Sequence, residues 1–381
     1  MRKKYDIGFV LPSFSYNYPP GGYNIVYQSA SFFSKNGKSV IIITPKGNKE
    51  YLNHFYDSLP KGLKGKLFSL MLPVLETKLF QKYLLPLIRK IRKIDFDFTI
   101  LDGVDQSSQK NPKKIRFEIE KIIASSWETT YYINEFLKTH KSKAYYLIQH
   151  DESSADYSGR FATLASKSYE FNYVKIVTNK PLLNLFENEK VYYVPLGIDK
   201  IYHNPVEHII ETKENNSILI QFGIGISKGF EYGIRAIDNI HKKFPDVKIY
   251  AFGNADARII PRYIHFFYRP SIEQLVDLYL KSDIFILPSL IEGVSLVAME
   301  AMALGCSCIL TNCGGINDYA QQGYNAIIVP IKDSLSISDS YFHLVQNVQL
   351  KNRLKINGMK TIKKYTYDNM GEKFLKILEE D

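Results

Sequence analysis

Short apolar runs alternate with amphipathic stretches along the chain, in the order that predicts strands and helices in turn. "DIGFVLP" (6–12) is dense enough in apolar residues for a buried strand, "NIVYQSASFFSKNG" (24–37) reads as a helix ending at Gly37, and "SVIIIT" (39–44) is a second strand. Strand, helix, strand is the signature of a parallel pair with a crossover. Further strands are expected at 97–102, 121–126, 144–150, 174–179 and 190–197. The order then restarts with a strand at 217–223, a helix over 229–244, strands at 247–253 and 263–269, and a helix over 271–281. Two successive parallel α/β sheets follow, with a seam near "PLGIDKIYHNP", where Gly197, Asn204 and Pro205 break the periodicity. The expected division is 1–200, 201–365 and a closing helix at 366–381 that packs back on the first domain. Between two such sheets, outside the carboxyl ends of their strands, a ligand finds its crevice.

"DIFILPSLIEGVSLVAMEAMALG" (283–305) combines three kinds of pattern. Its first six residues are a strand buried on both faces and closed by Pro288. "SLIEGV" turns, and from Ser295, read as an N-cap, "LVAMEAMAL" is rich in helix formers up to Gly305, read as the C′ residue. A helix beginning just past a buried strand points its unpaired N–H groups into the crevice, which makes an anion site for which phosphate is the usual occupant. Glu300 falls about one turn from Leu296 on the side of that helix mouth, where it could accept two hydroxyls of a ribose or simply face solvent.

Composition narrows the class. A chain of 381 residues with 45% hydrophobic and 23% charged residues is globular and long enough for two cores. The net charge of +10 suits anionic partners, but no aromatic-basic nucleic-acid module is present, so a nucleotide or a membrane surface is preferred to nucleic acid. The apolar run "IGFVL" is too short for a signal peptide and no stretch reaches membrane-spanning length. All three cysteines lie in "CSCILTNC"; a fourth ligand is missing and "CILT" reads as a strand, so no metal is assigned and a reduced, cytoplasmic setting is expected. "DFD" (95–97) merely opens an apolar strand.

Three loops carry candidate chemistry. "PPGG" (19–22) brings Gly21 and Gly22 to a strand-to-helix turn, where the backbone can approach a phosphate closely. "GIGISKGF" (223–230) sets Lys228 at the equivalent turn of the second sheet, an ammonium suited to a diphosphate. "IQHDES" places His150 at the carboxyl end of a strand, a candidate catalytic group as well as an ordinary loop histidine.

"EGVSLVAMEAMALGCSCILTNCGGINDYAQQGYNAIIVP" resembles the signature of retaining, nucleotide-sugar-dependent glycosyltransferases of family 4, which have the GT-B fold: two Rossmann-like α/β domains facing a central cleft. The family's Glu, seven residues, Glu pattern matches Glu292 and Glu300, and "IIASSWETTYYINEFLKTHKSKAYYLIQHDESSADY" is similar to its rhamnan-type rhamnosyltransferase branch. The resemblance implies that Glu300 binds the donor ribose, Glu292 lies by the donor sugar, Gly293, Val294, Ser295 and Leu296 offer N–H groups to the phosphates, and Lys228 binds the diphosphate. It further implies an acceptor-side first domain, a donor-side second domain, His150 near the donor sugar or acceptor hydroxyl, and no metal or other cofactor. The partners are then a nucleotide-sugar donor and a glycan or lipid-linked acceptor. The family's usual Arg just before the Lys-Gly pair is absent, the region reading "GIGIS". A nucleotide-sugar epimerase of the same fold, or an inactive sugar-binding protein, would share much of this pattern.

Residues 61–93 hold nine Lys or Arg and a single acid, Glu76, among many leucines. They read either as a solvated basic face over a buried stripe or as a segment resting on anionic lipid at the inner membrane face.

Overall fold

The structure is a computed structural model that describes residues 3–12, 21–45, 97–101, 117–154, 161–203, 213–223 and 225–381. The basic segment 61–93 and the prolines of "PPGG" lie outside the described residues, as do Asn204 and Pro205. The chain divides into two compact units: Met1–Thr178, Leu182–Val194 and Met370–Asp381 form the first, Asn179–Pro181 and Pro195–Asn369 the second.

In the first unit the strands are β1 (Lys3–Val10), β2 (Val40–Pro45), β3 (Asp97–Leu101), β4 (Phe117–Ala124), β5 (Lys143–Ile148), β6 (Val174–Val177) and β7 (Val191–Tyr193). They make one parallel sheet in the order β3-β2-β1-β4-β5-β6-β7. Helix α1 (Gly21–Lys35) follows β1, α2 (Trp127–Leu137) follows β4, and α3 (Ala162–Ser168) lies before β6. Helix α1 starts earlier than the apolar spacing suggested, because Gly21 and Gly22 form its first turn. The strand expected at 190–197 stops at Tyr193; beyond it Pro195 has no N–H for a ladder. β4 begins at Phe117, four residues before the apolar run that predicted it, since its outer half alternates exposed and buried positions.

The second sheet has the order β10-β9-β8-β11-β12-β13, also parallel throughout. Its strands are β8 (Glu214–Phe222), β9 (Ile249–Gly253), β10 (Ile264–Tyr268), β11 (Ser282–Leu287), β12 (Ser307–Thr311) and β13 (Ile327–Val329). The helices are α4 (Phe230–Lys243), α5 (Ile272–Lys281), α6 (Leu296–Ala303), α7 (Ser334–Gln346) and α8 (Val348–Ile362). Every residue of β11 is buried, as its unbroken apolar run predicts. Helix α4 buries Gly233, Ala236, Ile237 and Ile240, a single helical stripe laid on that sheet. Each large apolar side chain so buried contributes about 1.5–3 kcal/mol.

The last helix, α9 (Tyr367–Glu380), belongs from Met370 onward to the first unit. Its Phe374 ring stands edge-on to Phe33 at 5.3 Å and to Phe9 at 6.1 Å.

At the amino end of β11, Asp283 is buried between two lysines of α8: Lys351 Nζ lies 2.7 Å from Oδ2, and Lys355 bonds Oδ1. Burial pushes the Asp283 carboxyl up, but the two ammonium groups outweigh it and hold the group below its ordinary range. Nearby, the buried Lys213 ammonium donates to the carbonyls of Tyr279 at 2.8 Å and Ser282 at 3.0 Å. Among the described residues no helix is long and apolar enough to cross a membrane.

Candidate functional site

The strand order of the second sheet reverses between β8 and β11, and the loops leaving those two strands supply the candidate residues. After β8 the chain turns through Ile226–Lys228 into α4. Gly229 joins the two at φ 59°, where a Cβ would come 2.0 Å from the Pro288 carbonyl oxygen, so only glycine lets this loop lie against the end of β11. Two N–H groups from the β11 loop complete the seam: Leu290 and Ile291 donate to the Ser227 carbonyl at 2.7 and 3.3 Å.

That seam places Lys228 beside Glu292, Nζ to Oε1 at 2.8 Å, and Ser289 Oγ donates to the same oxygen at 2.7 Å. The Glu292 backbone is fixed as well, its N–H donating to Cys313 at 2.8 Å and its carbonyl accepting from Gly315 at 3.3 Å. Gly315 packs so tightly here that a Cβ would fall 1.4 Å from the Gly293 oxygen. Asn179 Nδ2 donates to that same Gly293 oxygen at 2.9 Å.

Ser295 does occupy the position before α6, but it does not cap the helix with its side chain. Its backbone is left-handed, at φ 60° and ψ 74°, and its buried hydroxyl makes no hydrogen bond among the described residues. The Ser295 carbonyl instead accepts the Tyr319 hydroxyl at 3.1 Å. A non-glycine residue in this conformation is strained, and its buried hydroxyl sits at the amino end of α6. The other end of α6 is as read: Gly305 at φ 70° donates to Met302 at 3.1 Å and Cys306 to Ala301 at 2.9 Å, a full Schellman closure.

Helix α6 is buried on nearly every side, so Glu300 is not a solvent-facing residue. It is half-buried and accepts the Tyr279 hydroxyl at 3.0 Å. Burial pushes its carboxyl up to about 7; the Tyr279 bond works against that, while the Asp199 charge adds to it. The three cysteines are buried free thiols, and burial raises each of them.

In the first unit the order reverses between β1 and β4, and Ser125 Oγ donates across that point to Val10 at 2.8 Å. Gly22 lies in the opening turn of α1, and its carbonyl accepts Gln149 Nε2 at 3.2 Å, which ties that turn to the residue before His150. His150 is half-buried, its Nε2 3.9 Å from Glu152 Oε1. Thus Lys228, Glu292 and the Gly293–Leu296 backbone assemble at one strand end of the second unit with Glu300 one turn into α6, whereas Gly21, Gly22 and His150 belong to the first. Tyr279, Ser289, Asn179 and Glu152 were not singled out from sequence. Tyr279 sits in an apolar helical stripe that hides its hydroxyl, while Glu152 stood in view in "IQHDES".

Residues 219–347, all within the second unit, match the family model described as glycosyl transferases group 1. An uncharacterised glycosyltransferase of Methanocaldococcus jannaschii is 27% identical over 157 residues, 40% of this chain and 45% of that protein. The match therefore spans about half the length of this curated relative. The N,N'-diacetylbacillosaminyl-diphospho-undecaprenol alpha-1,3-N-acetylgalactosaminyltransferase of Campylobacter jejuni is 25% identical over 105 residues, 28% of each chain. Among solved structures, Anabaena HepE in complex with UDP and glucose superposes with a TM-score of 0.71 at 12% identity, covering 99% of this chain and 100% of that one. The fold is accordingly GT-B, as the sequence resemblance implied.

Proposed function

We propose that the protein is a retaining, metal-independent glycosyltransferase that moves a sugar from a nucleoside diphosphate sugar to a hydroxyl of a glycan or lipid-linked acceptor. The observation that carries this reading is the Lys228–Glu292 contact at the reversal point of the second sheet, beside the amino end of α6. There a cation, a run of backbone N–H groups and, one turn on, the Glu300 carboxyl suit a diphosphate and a ribose.

As the bond from the sugar to the diphosphate breaks, negative charge grows on the leaving oxygens. Lys228 and the N–H groups of Gly293 to Leu296 are assigned to that charge, each such preorganised donor being worth about 3 kcal/mol in the transition state. Glu292, which holds Lys228, is assigned to the donor sugar once the ammonium turns to the phosphate. Glu300 is assigned to the ribose hydroxyls, Gly21 and Gly22 to close backbone approach at the donor, and His150 to the donor sugar or acceptor hydroxyl. That HepE is described with UDP and glucose favours a uridine nucleotide, and the diphospho-undecaprenol in the Campylobacter enzyme's name favours a lipid-linked acceptor. The rhamnan-type resemblance adds a rhamnosyl donor to the panel to be tried. A cytoplasmic enzyme resting on the inner membrane face through residues 61–93 would meet such an acceptor.

The test is a panel of nucleotide sugars, with and without glycan or prenyl-diphosphate acceptors, in excess chelator. Release of nucleoside diphosphate that needs an acceptor, with the donor's anomeric configuration kept in the product, is the expected result. Conversion of the donor to another nucleotide sugar without acceptor and without net release of nucleoside diphosphate would make the protein an epimerase, and arrest by chelator that magnesium reverses would overturn the metal-independent reading.

A further inference from the structure

Past the carboxyl end of β5 the chain reads Gln149, His150, Asp151, Glu152, Ser153. In an extended strand, residues two apart point the same way, but here the chain is turning. Asp151 Oδ1 accepts both the N–H of Ser153 at 3.0 Å and its hydroxyl at 2.6 Å, and this turn folds the Glu152 side chain into the protein. Only 3% of Glu152 is exposed.

A carboxyl buried so deeply must be held by other groups. The Tyr146 hydroxyl, from β5, donates to Glu152 Oε2, and the backbone N–H of Trp127, first residue of α2, donates to the same carboxyl. The Tyr169 hydroxyl accepts the Glu152 N–H at 2.9 Å. Glu152 Oε1 lies 3.9 Å from His150 Nε2, which brings the carboxyl and the imidazole within ion-pair distance of each other.

We infer that Glu152 and His150 act as one unit, in which Glu152 is the positioning residue that stores a proton for the imidazole and fixes its ring. This rests on the reading of His150 as a residue of the transfer site. The step is a proton shift within the pair: the O–H bond at Glu152 Oε1 breaks as an N–H bond forms at His150 Nε2, leaving carboxylate and imidazolium with no net change in charge. Approach of an anionic donor favours the imidazolium side. Burial, with the Glu128 and Asp151 charges acting the same way, pushes Glu152 up to about 8 against the hydrogen bonds of Tyr146 and Trp127. The pair therefore keeps through neutral pH a proton that an ordinary carboxyl, or an ordinary histidine, would have released.

Two readouts test this. In ¹³C-histidine NMR, with the His150 signal assigned by its loss in His150→Asn, the imidazole of the intact protein should titrate about one pH unit higher than in Glu152→Gln. The alkaline limb of the kcat/KM profile should move down with it, with Glu152→Asp recovering part of the shift. A His150 midpoint that is the same in the intact protein and in Glu152→Gln overturns the inference. Should Glu152→Gln fail to fold by circular dichroism, Tyr146→Phe, which removes a donor to the carboxylate, must lower the midpoint, and no change there overturns the inference equally. If the intact protein turns over no nucleotide sugar, the transfer reading falls by itself, while the NMR midpoints still decide the pair.

Discussion

The Lys228 ammonium is held by Glu292, 2.8 Å away, with the Ser289 hydroxyl on the same carboxylate oxygen. On the proposed reading, a donor diphosphate would compete with Glu292 for this ammonium.

Lys228→Ala should slow transfer more than tenfold, because a cation beside a leaving diphosphate acts mainly in the transition state. Steady-state kinetics with the best donor of the panel checks this. A wild-type rate in the variant would assign the charge elsewhere.

Glu300→Gln keeps the volume but loses the charged acceptor for two hydroxyls, so donor binding should weaken by roughly 1–3 kcal/mol. Because burial holds Glu300 at about 7, donor affinity of the unmodified protein should rise between pH 6 and 8 as the carboxyl ionises, and Glu300→Gln should be flat over that range. Tyr279→Phe removes a bond that favours the carboxylate and should move the midpoint upward. Calorimetric titrations at several pH values measure all three.

Thermal stability should fall as pH rises from about 7 to 8, a window in which Glu152 is the largest contributor, while buried Glu300, held at about 7, adds to the fall at the lower end and the three buried thiols at the upper. The folded protein holds the Glu152 carboxyl at about 8, against the ordinary carboxylate range of the unfolded chain. Through this window the folded form binds the extra proton, so its advantage is complete at low pH and disappears once pH passes the folded value. Burial lowers His203, which acts with the opposite sign but below this window. Scanning calorimetry should show the decline in the unmodified protein and a shallower one in Glu152→Gln.

Asp283→Asn should cost about 3–5 kcal/mol, since it leaves the buried ammonium groups of Lys351 and Lys355 without their counter-charge. Urea denaturation would measure it, and a midpoint near wild type would mean that the α8 lysines find other partners.

Co-sedimentation with anionic liposomes should retain the protein at low salt and release it at high salt, through the nine basic residues of 61–93. Recovery in the supernatant at low salt would end the membrane reading.

The chain was most legible where one pattern served one purpose. The unbroken apolar run of β11 and the Gly305 closure of α6 could be read because burial and a positive φ each demand particular residue types. Glu300 was read from a motif, but its partner was not: Tyr279 lies twenty-one positions away, and tertiary packing alone brings its hydroxyl to the carboxylate. Asp283 was read only as the first residue of a buried strand, and its lysines arrive from a helix about seventy residues further on. Ser295 does stand at the N-cap position that its residue type predicts, but its left-handed backbone and the absence of a side-chain cap bond were not legible.

The packing of Phe374 against Phe9 and Phe33 also bears on how the polypeptide is made. During synthesis the first sheet emerges early, yet the surface around Phe9 and Phe33 stays uncovered until residues from Met370 onward have left the ribosome. The second unit can complete its own sheet during that wait. A chain cut after Asn369 would then present one complete unit and one with an open apolar face, and the latter is where a chaperone would bind.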